Sequence, residues 1–100
     1  MGNYWSEKSE YNRAIADYNK AIELDPKYAP SYYNRGNAWD KKGDPDQAIA
    51  DYNKAIELNP QHADAYYNRG IAWSKKGHPD RAIADYNKAK ELNPDSRFYH

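Results

Sequence analysis

The sequence predicts an all-α fold, an α-solenoid of antiparallel helical hairpins stacked in a row. Three observations predict it. First, the stretch from Ala48 to Pro60 recurs almost letter for letter from Ala14 to Pro26 and from Ala82 to Pro94, a step of 34 residues each way. A fixed step of about 20–50 residues marks an array whose units bury their apolar faces only against their neighbours. Laid over residues 63–96, residues 29–62 differ at only nine of 34 positions. Second, apolar residues within each unit recur at helical spacing. Third, glycine and proline punctuate the later units at fixed places, as helix ends require.

Each element has its own signals. In the first unit, residues 1–28, Gly2 and Trp5 fall on the positions of Gly36/Trp39 and Gly70/Trp73. The beginning of that helix, relative to the later units, is missing. Ala14, Ile15, Tyr18, Ala21 and Ile22 lie on one stripe of a 3.6-residue period, with Asp17, Asn19, Lys20 and Glu23 on the other side. Asp25-Pro26 stops that helix, because the residue before proline is pushed out of the helical region. The later units carry Gly43-Asp44-Pro45 and Gly77-His78-Pro79 between their two helices. There glycine can take the left-handed conformation that ends a helix, Asp44 can cap the next one, and proline suits its first turn. The first unit has Ser9-Glu10-Tyr11 instead, with no breaker from Asn3 to Leu24. Two structures are open to it: a stunted hairpin turning near Ser9, or one continuous helix. The hairpin is preferred, because Trp5 should seek the pocket its equivalents occupy.

The remaining helices are predicted over Pro30–Lys42, Pro45–Leu58, Asp64–Lys76 and Pro79–Leu92, with short linkers that make neighbours antiparallel. Gly36 in mid-helix costs roughly 1 kcal/mol against alanine. Its recurrence at Gly70 predicts a close approach of two helix backbones. Units at 29–62 and 63–96 and a tail at 97–100 complete the division.

Composition limits the function. Fifteen basic and fifteen acidic residues cancel, so no bulk charge draws the chain to nucleic acid or an anionic membrane. Without cysteine there is no disulfide framework and no thiolate metal site. No apolar run approaches a membrane span of about 20 residues, and no secretory signal core is visible. A soluble, cytoplasmic protein without a cofactor is the expectation. His62, His78 and His100 have no ligand-like spacing, and no phosphate loop, nucleophile elbow or H-E-x-x-H occurs, so neither catalytic nor metal-ligating residues are expected. Eleven tyrosines and three tryptophans against one phenylalanine suit a thin stack, since both types tolerate partial exposure.

The spacing resembles the tetratricopeptide repeat family, whose pattern runs W-x2-L-G-x2-Y, then A-x3-F, then P. Here it reads Tyr32, Arg35, Gly36, Trp39, Ala48, Tyr52 and Pro60, then Tyr66, Arg69, Gly70, Trp73, Ala82, Tyr86 and Pro94. The first unit keeps Gly2, Trp5, Ala14, Tyr18 and Pro26. The departure is arginine where the family usually has leucine. The near-identity of the units also looks like a recent duplication or an idealised, designed sequence.

The resemblance implies a right-handed superhelix that acts as a non-catalytic scaffold, holding an extended peptide or a partner's helix on the concave side lined by the first helix of each unit. Carried onto this chain, the binding positions are Tyr33, Asn34, Asn37 and Lys41, then Tyr67, Asn68, Ile71 and Lys75. Pro30, Asp40, Asp64 and Ser74 lie in the same rows, and Asn3, Ser6 and Glu7 extend them. The residues themselves agree in part: Tyr33 and Tyr67 sit one residue off the Tyr32/Gly36/Trp39 stripe, and a rigid ring beside an amide suits peptide recognition. The other reading is that these tyrosines plug the seam between units. Relatives that grip acidic chaperone tails use lysines where this chain has Tyr33, Tyr67, Pro30 and Asp64, so that ligand is not expected. Two alternatives stand beside the scaffold. One is a homo-oligomer, a dimer formed through Tyr4 and Trp5 at the N-terminal end. The other is RNA binding by stacked tyrosines, against which the zero net charge argues.

Two packing expectations complete the reading. Arg35 and Arg69 should each pair with the aspartate of its own or the preceding hairpin, among those that recur at Asp17, Asp51 and Asp85, their stems lying on aromatic rings. Ile22 and Ile56 should be mostly buried against the following unit, and Lys90 at the equivalent position should be exposed.

Overall fold

The computed structural model describes residues 3–94, with side chains from residue 7 onward. Five helices follow one another: α1 Asn3–Leu24, α2 Ala29–Lys42, α3 Pro45–Leu58, α4 Ala63–Lys75 and α5 Pro79–Leu92. No strand occurs among the described residues. Each helix packs on the next in sequence, and α2 also touches α4. That pattern belongs to stacked hairpins rather than to a globule with one centre.

The punctuation acts as the sequence implies. Gly43 and Gly77 stand at φ 98° and 82°, and the amides of Asp44 and His78 reach back to the carbonyls of Trp39 and Trp73 at 2.9 and 3.0 Å. The Asp44 carboxylate accepts the Gln47 amide at 3.2 Å, capping α3. His78 makes no such bond at α5; its ring stands edge-on to Trp73 at 5.5 Å.

In the first unit the structure corrects the expected hairpin. Residues 3–24 form one helix, with no turn near Ser9. Ser9, Glu10 and Tyr11 are all tolerated inside a helix, and no glycine or proline breaks the hydrogen-bond ladder there. At about 1.5 Å per residue α1 is roughly 33 Å long, and Trp5 lies roughly 20 Å along the axis from Tyr18. The side chains of Tyr4 and Trp5, expected to mediate self-association, lie outside the described residues, as does the tail from residue 95.

The three B-type helices separate what each neighbour contributes. On α3, with a helix on both sides, Ala48, Ala55 and Ile49 are all buried. On α5, where α4 is the packed neighbour, Ala82 and Ala89 remain buried but Ile83 is 55% exposed. On α1, packed on α2, the pattern inverts: Ile15 is buried, while Ala14 and Ala21 are only half-buried. The alanine face is therefore covered by the preceding antiparallel helix, and the isoleucine face by the following one. Ile22 and Ile56 are half-buried against the cluster of Tyr32, Ala55 and Ala65, and Lys90 is exposed.

Gly36 and Gly70 do mark a close approach, though of a different kind from that predicted. A Cβ on Gly36 would stand 2.7 Å from Cε1 and 2.9 Å from Cδ1 of Tyr52, with the Ala48 carbonyl next at 3.2 Å. The glycine makes room for a tyrosine ring rather than chiefly for a backbone.

Candidate functional site

The site begins with what orients the A-type helices. Arg35 donates from Nε to Asp51 Oδ2 at 2.8 Å and from Nη2 to Oδ1 at 2.6 Å, while Nη1 reaches Asn19 on the preceding unit at 2.8 Å. Arg69 repeats the arrangement with Asp85 and Asn53 at 2.7–2.9 Å. Each guanidinium lies over a ring, Tyr32 or Tyr66. One planar fork thus fastens three consecutive helices, a geometry lysine cannot reproduce. The bond to Asp51 raises the pKa of Arg35 above its ordinary value, against the opposing effect of burial. Both arginines pair with the aspartate of their own hairpin, one of the two partners the sequence allowed.

With α2 and α4 held in register, a polar chain forms between them. Tyr52 donates its hydroxyl to Asn37 Oδ1 at 2.5 Å. The Asn68 amide donates to the same oxygen at 3.0 Å and to the Tyr33 hydroxyl at 2.9 Å. Burial pushes the Tyr33 and Tyr52 phenols above their ordinary pKa, so both remain neutral hydroxyls at physiological pH. The chain walls a cleft of about 250 Å³ lined by Asn37, Asp40, Lys41, Tyr52, Asn68 and Ile71. At its rim Asp40 Oδ2 accepts Lys75 Nζ at 2.9 Å. Asp40 Oδ1 is buried without a hydrogen-bond partner.

The expected binding residues distribute unevenly around this cleft. Asn37, Lys41, Asn68 and Ile71 line it. Tyr33 lies in the seam, its ring 6.0 Å from Tyr52 and 4.5 Å from His62. Its hydroxyl supports the wall, which favours the seam-plugging reading for this residue. Tyr67 packs on Tyr86 at 5.4 Å. Asn34 is half-buried on α2, outside the lining, and Lys75 is engaged by Asp40. Sequence reasoning missed Tyr52. The signal was available: tyrosine in a phenylalanine slot carries a hydroxyl that needs a partner, and Asn37 follows the glycine on which its ring rests.

A second cleft, about 380 Å³, is lined by Asn53, Arg69, Trp73, Arg81, Ala84 and Asp85. Its polar groups are already committed: Arg69 to Asp85 and Asn53, and Arg81 over the Trp73 ring at 4.8 Å. Among the described residues no group of three or more His, Cys, Asp or Glu is placed to hold a metal ion, and no helix is long and apolar enough to cross a membrane.

His62, beside the cleft wall, sets a pH dependence. Its Nδ1 is buried without a partner, and burial lowers its pKa against the opposing effect of Asp64. The fold therefore favours neutral imidazole. Its contribution is complete above the unfolded value of about 6.5 and is lost as pH falls through the lower folded value. Urea midpoints should decline below about pH 6.5, and His62→Phe should flatten that part of the profile. An unchanged slope in the variant would remove His62 as the cause.

The tetratricopeptide repeat profile matches residues 29–62 and 63–96, and a second TPR repeat profile matches residues 2–43. The Arabidopsis OM64 TPR domain superposes with a TM-score of 0.88 at 30% identity, over 98% of this chain and 81% of that one. The first TPR of Spaghetti (RPAP3), solved bound to the HSP90 peptide SRMEEVD, gives 0.87 at 30% identity, over 98% and 78%. YrrB, described as a TPR protein with an unusual peptide-binding site, shares the fold at a TM-score of 0.85 and 24% identity; this chain spans 51% of it. No curated protein matches the chain.

Proposed function

The chain belongs to the tetratricopeptide repeat family, and from that premise we propose that it is a non-catalytic protein–protein interaction scaffold that takes an extended peptide in the groove between α2 and α4. The observation that carries the proposal is the cleft walled by Asn37, Tyr52 and Asn68. Its polar wall is ordered by bonds within the protein, so a ligand need not order these side chains on binding. Asn37 and Asn68 offer amide groups to a peptide backbone, Ile71 offers an apolar floor, and Lys41 and Asp40 offer one charge of each sign. An acidic tail such as SRMEEVD would meet Asp40 and would compete with it for Lys75. A peptide without a run of carboxylates suits the groove better.

Panning a random peptide library against the purified protein tests this. Selected peptides should lose at least about tenfold in affinity on Ile71→Glu and on Asn68→Ala, since each removes a contact worth about 1.4 kcal/mol. The SRMEEVD peptide should bind more weakly than the selected ones. Selected peptides indifferent to both substitutions would move the site away from this groove.

A further inference from the structure

We propose that the groove between α2 and α4 selects a side-chain carboxamide, an asparagine or glutamine of the bound peptide, through the outward edges of Asn37 and Asn68; this rests on the peptide-binding reading of that groove. An asparagine side chain has one carbonyl oxygen and two N–H donors. Asn37 Oδ1 accepts twice, from the Tyr52 hydroxyl at 2.5 Å and from Asn68 Nδ2 at 3.0 Å. Asn68 Nδ2 donates twice, to that oxygen and to the Tyr33 hydroxyl at 2.9 Å. Left over are the amide nitrogen of Asn37 and the carbonyl oxygen of Asn68. Neither has a partner among the described residues, and neither is one of the buried unpaired atoms, which are Asp40 Oδ1 and His62 Nδ1. Both atoms therefore meet solvent, and both residues line the cleft. The wall thus offers one donor and one acceptor. Turning both amides over would only exchange their roles, because each tyrosine hydroxyl can donate or accept.

A primary carboxamide matches such a pair from a single edge. It carries C=O and N–H side by side, whereas a trans peptide group turns them to opposite sides. A carboxylate only accepts, so it would set an anion against Asn68 Oδ1, with Asp40 in the same lining. An ammonium group only donates and leaves the Asn37 nitrogen unmatched. Ile71, also in the lining, gives the methylenes of the ligand side chain an apolar surface. Lys41 is exposed, so its pull on an anion is screened at ordinary ionic strength. The next unit carries Ile71 at the position of Asn37, so the pair belongs to this seam and is not repeated at α4.

The probes are the N-acetyl, N-methylamide derivatives of glutamine, glutamate and methionine, which share one backbone and differ at the side chain. Each is titrated into the isotope-labelled full chain at about 0.15 M salt, following the side-chain amide signals of Asn37 and Asn68. The glutamine derivative should shift both signals and bind at least about tenfold more tightly than the other two. Asn37→Asp keeps an oxygen to accept from Tyr52 and Asn68 but replaces the outward donor by an acceptor. It should abolish the preference for glutamine, while the Asn68 signal still reports an intact wall. Absence of a shift at millimolar probe, equal binding of glutamine and glutamate, or a preference that survives Asn37→Asp overturns the proposal. Equal binding of glutamine and methionine also overturns it and gives the pair to the peptide main chain. The groove itself is judged separately. Panned peptides that lose affinity on Ile71→Glu but tolerate every carboxamide-to-carboxylate exchange would keep the groove and reject the carboxamide, whereas indifference to Ile71→Glu would reject the groove.

Discussion

Gly36→Ala should destabilise the chain by about 2 kcal/mol, although alanine is the better helix former by about 1 kcal/mol. The added methyl would stand 2.7 Å from the Tyr52 ring, closer than packed carbons approach. Tyr52 cannot easily retreat. It is 1% exposed, lies in the cluster with Ala48, Ile49 and Ala72, and is tied through its hydroxyl to Asn37. Gly70→Ala makes the same initial clash, 2.7 Å from Tyr86, with a different outcome. Tyr86 is only half-buried, and Ile71 stands where Asn37 anchors Tyr52. Its ring can swing outward, so the loss at Gly70 should stay under about 1 kcal/mol after the gain in helix propensity. Urea melts of the two variants decide it. Equal losses would show that the backbone, not the freedom of the tyrosine, sets the penalty.

Why some elements were legible in the sequence and others were not follows from the kind of signal each carried. The bounds of α3 and α5 could be read to the residue, because proline opens both and Leu-Asn-Pro closes both. α2 and α4 begin one residue earlier than predicted, since the residue preceding Pro30 or Asp64 already adopts helical geometry. The first unit misled by resemblance. Trp5 matches Trp39 and Trp73, but a matching side chain does not bend a backbone, and Ser9-Glu10-Tyr11 supplies no breaker. The site was half legible. Register places Asn37 and Asn68 on one side, and their 31-residue offset, one turn short of the 34-residue repeat, makes them neighbours across the seam. Periodicity alone could not say whether Tyr33 faces the groove or the seam, because a residue at the edge of a stripe can turn either way. The Asn68 bond to its hydroxyl and the His62 ring against it favour the seam.

Asp51→Ala should lower stability by about 2–3 kcal/mol, the scale of paired hydrogen bonds to a charged group. Both bonds from the guanidinium to Asp51 are lost, and Arg35, whose side chain is 22% exposed, keeps only partial access to water. The reciprocal change, Arg35→Leu, installs the residue the family usually carries but strands Asp51, whose side chain is 8% exposed. Its loss should be at least as large, about 3 kcal/mol, because an unpaired carboxylate there is less well hydrated. The double variant Arg35→Leu/Asp51→Leu is the decisive one. It removes both charges and fills the space with apolar carbon, so it should return to within about 1 kcal/mol of the parent. The coupling energy from the cycle then measures the clamp rather than either truncation. Asp85→Ala should give a smaller loss than Asp51→Ala, because α5 carries Ile83 exposed and its outer face is less constrained. A double variant as unstable as the worse single would mean that Asn19, which Arg35 also holds, contributes as much to the junction as the ion pair does. In that case the arginine stabilises chiefly the stacking of one hairpin on the next.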